Sequence, residues 1–382
     1  MLVERVKIPL VDLKREYIFL KKEIERQIKE CFERHHWVLG EKTKEFEEKA
    51  ARYLGVKYAI GVGSGTDALV LSLQALALEK KGEEFFSKKD EVITTPLTFI
   101  ATAEAIIRSG ATPVFVDIDE DTFNISPQAI EKAITRNTQG MVVVHLYGQA
   151  CKMTSILRIA KRYNLFVVED CAQSFGAQFK GRKLGTWGDL GAFSFFPSKN
   201  LGAYGDAGMV TTNNLRLAQL VTYLRNHGQK RRYEASYIGY NSRLDSFQAA
   251  VLLAKLRYID RFNRRRIKIA KKYTHSFLKI KNLVVPSLPE NEFEHVFHLY
   301  TLRVGRKYRD KLVSYLRKKG IEARVYYPKL VSFMKRISSL SKIKNIENTL
   351  RLHKEIFSIP VHPFLEESQL RYVVSKVKEF FG

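Results

Sequence analysis

The chain of 382 residues is 45% hydrophobic and carries 65 Lys and Arg against 40 Asp and Glu, a formal net charge of +25. That length suits two domains with a large core, and the lack of any run of about 18 apolar residues predicts no membrane span. The stretch from Met1 to Tyr17 is charged and has no signal-peptide core, and three cysteines (Cys31, Cys151, Cys171) without metal-type spacing predict a reducing, cytoplasmic setting and no metal site.

The stretch up to Tyr53 has the apolar spacing of amphipathic helix. From about Tyr58 to about Thr212, short apolar runs alternate with helical patterns. Strands are predicted at residues 58–60, 91–95, 113–117, 140–144, 166–168 and 192–195, and helices starting near Thr66, Thr98, Ser126 and Met153. Ser126-Pro127 is a helix entry, with a capping hydroxyl followed by proline at the first helical position. This alternation predicts an α/β fold, a large and mainly parallel sheet covered by helices on both faces. Periodicity leaves the strand order open.

Residues 252–273 interleave Leu252, Leu256, Ile259, Phe262, Ile267 and Ile269 with basic residues, which predicts one long amphipathic helix with a solvated basic face. Beyond it, a strand at 298–304 and a helix at 309–318 predict a smaller α+β domain. The expected division is a large α/β domain at 1–255, including the N-terminal helical segment, and a linking helix plus small C-terminal domain at 256–382.

Three motifs carry chemistry. In Gly61-Val62-Gly63-Ser64-Gly65-Thr66-Asp67 the glycines let backbone approach an anion, and the helix that follows points free N–H groups at it. The spacing fits neither a Walker loop nor a dinucleotide fingerprint. Asp170, in Glu169-Asp170-Cys171-Ala172-Gln173, ends a buried strand, where open α/β sheets bind ligands. A carboxylate there needs a cationic partner such as a protonated pyridine nitrogen. Lys199 follows an apolar strand that breaks at Pro197, and partial desolvation favours its neutral, nucleophilic amine. A Schiff-base lysine and a pyridinium-holding aspartate are the two groups that pyridoxal phosphate requires. Each motif has a plainer alternative: a solvated lysine, an aspartate capping the next helix, an ordinary glycine turn.

Four further segments occur in order with these motifs: Ile8-Pro9-Leu10-Val11-Asp12-Leu13, Pro96-Leu97-Thr98-Phe99-Ile100-Ala101-Thr102, His145-Leu146-Tyr147-Gly148-Gln149 and Gly239-Tyr240-Asn241-Ser242-Arg243-Leu244-Asp245. On these residues the chain resembles the DegT/StrS nucleotide-sugar aminotransferases, which are fold type I pyridoxal-phosphate enzymes. The resemblance implies that Lys199 binds pyridoxal 5′-phosphate covalently and later shuttles the proton, and that Asp170 pairs with the ring nitrogen. Gln173 would bond near the ring hydroxyl and Phe99 would stack on the ring. Gly65, Thr66 and Ser194 would hold the phosphate. Asn241 would reach the phosphate in a neighbouring subunit, giving a homodimer with shared active sites. Packing offers an alternative for Phe99 and Ser194, turn chemistry for Asn241, and a satisfied strand setting for His145 and Tyr147.

The implied reaction takes an amino group from an amino acid, glutamate being expected, leaves pyridoxamine phosphate, and passes the amine to a nucleotide-linked keto-sugar. The surroundings of Gln173 and the run Pro197-Ser198-Lys199-Asn200-Leu201-Gly202 look most like members that aminate a 3-keto position. A 4-keto-sugar aminotransferase is the near alternative. A cofactor-using sugar dehydratase is a second, although those relatives carry histidine in place of the lysine. Tyr327-Pro328 departs from relatives in lacking a following leucine-histidine pair, so the sugar pocket is expected to differ there. The charge leaves a third alternative, a basic non-enzymatic regulator or nucleic-acid binder, with basic clusters at 230–232 and 255–272. No nucleic-acid-binding signature accompanies them, so no nucleic-acid partner is expected. A lysine-rich surface, or attraction of anionic small molecules, accounts for the charge equally well.

Overall fold

The computed structural model describes residues 8–382; the first seven residues of the predicted N-terminal helical stretch lie outside the described residues. Two helices come first, α1 (Leu13–Arg34) and α2 (Glu41–Leu54). Asp12 caps α1 by accepting the Arg15 N–H at 3.0 Å. Strands and helices then alternate: β1 (Tyr58–Val62), α3 (Gly65–Lys81), β2 (Glu91–Thr94), α4 (Ile100–Arg108), β3 (Thr112–Phe115), α5 (Pro127–Ala133), β4 (Thr138–Val144), α6 (Met153–Tyr163) and β5 (Phe166–Asp170). As its Ser-Pro entry suggests, α5 is capped by Ser126, which accepts the Ala129 N–H. A small hairpin, β6 (Gln178–Phe179) and β7 (Arg182–Lys183), precedes β8 (Leu190–Ser194), β9 (Gly208–Thr212) and α7 (Leu215–Leu224).

The large sheet has eight strands in the order β1-β9-β8-β5-β4-β2-β3-β14, where β14 is Lys342–Ile343. All its pairings are parallel except those of β9, which runs antiparallel to β1 and β8. β8 returns to β9 through the loop at 195–207, without a crossover helix, so the two strands must be antiparallel. Neighbouring strand residues serve opposite faces. Val142 and Val168 join α3, α4 and α7 in one core, while Val143 and Val167 join α5 and α6 in another. Cover on both faces is why these strands read as unbroken apolar runs. α3 lies between the sheet and α4 and α7, and its residues from Ala68 to Ala77 are all buried.

A hairpin, β10 (Gln229–Arg231) and β11 (Glu234–Ala235), then leads to α8 (Ser246–Leu256) and α9 (Ile259–Phe277). Here the structure corrects the expectation of one helix over 252–273. The chain breaks at Tyr258, whose φ −110°, ψ 0° leaves the helical region. The reason is that the two halves serve different cores. Leu252 and Leu253 of α8 pack with α2 and the lysine-bearing region, whereas Ile269, Tyr273 and Phe277 of α9 pack with the C-terminal sheet.

That sheet is β12 (Leu283–Val284), β13 (Tyr300–Val304) and β15 (Ile356–Ile359), antiparallel in the order β12-β13-β15. Around it lie α10 (Arg306–Lys318) and α13 (Glu367–Phe381), whereas α11 (Lys335–Ser338) packs through Ile337 with Phe115 of β3 and Ala103 of α4, and α12 (Glu347–Leu352) donates the Thr349 N–H and hydroxyl to Asp117, just after β3. The strand expected from His298 starts at Tyr300 instead, because Phe297 takes a left-handed backbone (φ 47°) and delays the ladder. The N-terminal chain crosses to this region, with Ile8 bridging Ile321 and the Leu10 N–H donating to Glu322. Among the described residues no helix is long and apolar enough to cross a membrane.

Candidate active site

Parallel pairing brings the ends of β4, β5 and β8 to one edge of the sheet, with Asp170 in register with Val144 on one side and Ala192 on the other. Asp170 is buried and takes two donors, the Thr102 hydroxyl on Oδ2 at 2.9 Å and the Ala172 N–H on Oδ1 at 3.1 Å. Burial still raises its carboxyl above the ordinary carboxylate range, against those two bonds and the Lys199 charge. The site therefore calls for one more positive or donating group at Asp170.

Lys199 lies five residues beyond the end of β8, in a loop closed by the Ala203 N–H to the Phe195 carbonyl and the Phe195 N–H to the Ala207 carbonyl. Its side chain is half-buried. Burial, opposed by the Asp170 carboxylate, brings its ammonium down to about 8. A lysine so placed keeps a usable fraction of free amine near neutral pH.

The phosphate-type loop meets the same edge. Ser64 caps α3 by accepting the Asp67 N–H, and the Gly65 and Thr66 N–H groups that head the helix have no intrahelical carbonyl to reach. A Cβ on Gly65 would lie 2.4 Å from Ser194 Cβ, so only glycine lets this helix start sit on the end of β8. Gly208 is equally confined, since a Cβ there would lie 2.2 Å from the Ser64 carbonyl oxygen. Gly65, Thr66 and Ser194 are thus neighbours, and free N–H groups with two hydroxyls form an anion cradle. Ser242 braces the loop by accepting the Gly63 N–H at 3.0 Å and donating to Asp67 at 2.8 Å.

Phe99 stands before α4 with 58% of its surface exposed, its ring 6.2 Å from that of Tyr327. Gln173 is buried with its amide engaged at both ends: Oε1 accepts the Tyr147 N–H at 2.7 Å and Nε2 donates to the Tyr327 hydroxyl at 2.9 Å. One Nε2 hydrogen remains for a ligand. His145 and Tyr147 are packed: Cys151 donates its N–H to His145 Nδ1, so the ring proton sits on Nε2 and goes to Glu169 at 3.0 Å. His145, Glu169 and Cys171 come close enough to suggest a cation site. Yet Glu169 already accepts from His145 and from the N–H groups of Gly185, Trp187 and Gly188, so its oxygens are taken up by donors.

The structure thus gathers Lys199, Asp170, Gln173, Phe99, Gly65, Thr66 and Ser194 at one sheet edge. It leaves Asn241 apart, exposed and bridged to Asn226 through backbone. Sequence reasoning placed Tyr327 only at the edge of the sugar pocket and gave no role to Thr102 or Ser242. Thr102 lies 68 residues before Asp170, so its role carries no local signal in the sequence.

These residues fit pyridoxal phosphate. The cradle suits a phosphate, the exposed Phe99 ring suits a stacked heterocycle, the under-satisfied Asp170 suits a ring N–H, and the free amine of Lys199 suits an aldehyde.

Comparison with known proteins agrees. The profile of the DegT/DnrJ/EryC1/StrS aminotransferase family matches residues 19–378. A Geobacillus stearothermophilus relative named as a pleiotropic regulatory protein is 42% identical over 376 residues, 98% of each chain. The dTDP-3-amino-3,6-dideoxy-alpha-D-galactopyranose transaminase of Aneurinibacillus thermoaerophilus is 40% identical over 375 residues, 98% of this chain and 99% of that one. The crystal structure of S. venezuelae DesV in complex with a ketimine intermediate superposes with a TM-score of 0.91 at 35% identity, over 98% of both chains.

Proposed function

The chain belongs to the DegT/DnrJ/EryC1/StrS aminotransferase family, and on that premise we propose that it moves an amino group from an amino-acid donor, glutamate, to the 3-keto carbon of a nucleotide-linked sugar. Pyridoxal 5′-phosphate is its cofactor, and when bound it supplies an electron sink for the carbon that loses its proton.

The observation that carries this reading is the convergence of Lys199, brought down to about 8, on the buried carboxyl of Asp170. Lys199 takes the proton from the donor's α-carbon at Nζ and later returns it. Asp170 keeps the cofactor's ring nitrogen protonated, with Thr102 holding Oδ2 in place. Gly65, Thr66 and Ser194 hold the phosphate, Phe99 stacks on the ring, and Gln173 bonds beside it. Support for the 3-position comes from the transaminase from Aneurinibacillus, whose name describes a 3-amino sugar. Asn241, exposed in its own subunit, serves the phosphate site of a partner, so the working unit is a homodimer. Three free, buried cysteines suit a reducing cytoplasmic setting.

The test is a panel of 3-keto and 4-keto nucleotide sugars offered with glutamate, read by product mass. Amination of 3-keto substrates is the expected outcome, and amination confined to 4-keto sugars would overturn the positional assignment. The name of the Geobacillus relative favours regulation as a second reading. That reading alone predicts a purified protein that stays colourless with added pyridoxal phosphate.

A further inference from the structure

Beside Lys199, its chain neighbour Asn200 belongs to a line of hydrogen bonds whose direction can be deduced. Asn263, in α9 and fully buried, donates from Nδ2 to the Phe175 carbonyl at 3.1 Å. Its Oδ1 therefore faces Asn200, whose Nδ2 donates to it at 2.9 Å and to the Val296 carbonyl at 3.3 Å. Carbonyls only accept, so flipping either amide would break these bonds. Asn200 is left presenting Oδ1, an acceptor, to Nδ1 of His298 at 3.1 Å. That contact is a hydrogen bond only if Nδ1 carries the proton. A neutral imidazole has one N–H, so Nε2 keeps its lone pair, and it has no hydrogen-bond partner among the described residues.

His298 also stays neutral. Burial, then the charges that face it, Lys199 from the loop after β8 and Arg266 from α9, hold its imidazole well below the ordinary range. The charge facing Lys199 itself is Asp170, from the end of β5. A neutral ring with an open lone pair beside a lysine ammonium is an acceptor in search of a donor.

We propose that His298 is a positioning residue for proton transfer: its Nε2 accepts a hydrogen bond from the Lys199 ammonium and holds the proton on Nζ between its removal from the donor and its return. Asn200 and Asn263 act one step back, by locking the tautomer. The proposal rests on the reading of Lys199 as the reaction's base, but its tests do not require turnover.

The first test is the tautomer. Histidine-selective 15N labelling of the full, cofactor-loaded protein, with the signal assigned by its loss in His298→Asn, should give a neutral ring protonated at Nδ1. A ring protonated at Nε2, or a charged ring at pH 7, overturns the proposal. The second test follows the pH dependence of Lys199 acetylation in cofactor-stripped protein, read by mass of the Lys199 peptide. His298→Asn keeps an N–H for Asn200 but has no acceptor at the Nε2 position. It should lower the Lys199 midpoint by about one pH unit, the order of a hydrogen bond to a charged group, and His298→Gln, with an oxygen near that position, should restore it. A midpoint unmoved in folded His298→Asn overturns the proposal, and if that variant does not fold the tautomer decides. A wild-type protein that never captures pyridoxal phosphate would defeat the aminotransferase reading, while the acetylation midpoints, read without cofactor, would still decide the role of His298.

Discussion

Thr102 donates its hydroxyl hydrogen to Oδ2 of Asp170 at 2.9 Å, and Thr98 stands 2.9 Å from Thr102 on the same face of the α4 entry. The bond ties the segment that carries Phe99 to the end of β5, so the group that stacks on the cofactor and the group that grips its nitrogen share one frame. Thr102→Val keeps the volume and removes the donor, leaving Asp170 with the Ala172 N–H alone. The Asp170 carboxyl then rises further and holds a ring N–H less well. A loss of about tenfold in kcat/KM is expected, the scale of one hydrogen bond to a charged group, with Thr102→Ser recovering most of it. Unchanged kcat/KM in the valine variant would detach Thr102 from the site.

Lys199→Ala and Asp170→Asn separate capture from turnover. Borohydride reduction of the loaded wild type should add the cofactor's mass to the Lys199 peptide. The alanine variant should show no such adduct and no turnover. The asparagine variant should still be labelled but lose about 100-fold or more in rate, because a neutral amide cannot hold a pyridinium. Equal rates for Asp170→Asn and wild type would remove Asp170 from its assigned role.

Gly65→Ala probes the cradle. The added methyl must displace Ser194 or α3, since Cβ would approach Ser194 Cβ to 2.4 Å. Overpacking of this kind costs about 1–3 kcal/mol, and much of it falls on the phosphate site. The affinity of stripped protein for pyridoxal phosphate should drop about tenfold or more, measured by absorbance titration. Wild-type affinity would mean that the helix start is not the phosphate site.

Which parts of this were legible in the sequence follows from how local each signal is. Asp170 and the glycine loop could be read because strand, turn and helix start all lie within a few residues of each. The Tyr258 break could not, because the apolar spacing of Leu252, Leu256, Ile259 and Phe262 continues through it while the two helices face different cores. The antiparallel β9 follows from the tight lysine loop, whose closure by Ala203 and Phe195 appears only once the chain is folded. Thr102, Tyr327 and His298 gain meaning from partners 68, 154 and 98 residues away, and no window along the chain reports such pairs. β14 extends the large sheet from far down the chain, beside β3, with only two residues, too few to leave a pattern.

Buried neutral histidines predict weakness in acid. Burial holds His362 down at about 4 and His295 at about 3, against an ordinary value near 6.5. Below 6.5 the unfolded chain therefore binds protons that the folded chain refuses. Stability is lost as pH falls from 6.5 toward 4, by up to about 1.4 kcal/mol per unit for each histidine. Asp170 works in the opposite sense, since its folded carboxyl is raised and takes a proton more readily than the unfolded one. Burial also holds His298 and His353 below the ordinary range, so the lowered histidines outweigh it. The urea midpoint should fall between about pH 7 and pH 5. His362 has neither ring nitrogen partnered among the described residues, so His362→Leu should shrink that fall; an identical fall in the variant would rule His362 out as a source.

The shared site is tested by mixing two inactive chains. Asn241 is exposed in its own subunit, yet its neighbour Ser242 braces the phosphate loop of that same subunit through Gly63 and Asp67. One short segment would then serve two sites, its serine inward and its asparagine across a twofold axis. Lys199→Ala chains keep Asn241, and Asn241→Ala chains keep Lys199. If Asn241 acts across the interface, each mixed dimer rebuilds one complete site from the lysine of one chain and the asparagine of the other. Random pairing of equal amounts makes about half the dimers mixed, so activity should return to roughly a quarter of wild type. If Asn241 acts within its own chain, no dimer contains a complete site and activity stays at the level of the separate variants. Chains must be denatured and refolded together, or co-expressed, so that subunits exchange. Recovery without exchange would point to contamination, and absence of recovery after proven exchange would return Asn241 to the turn it sits in.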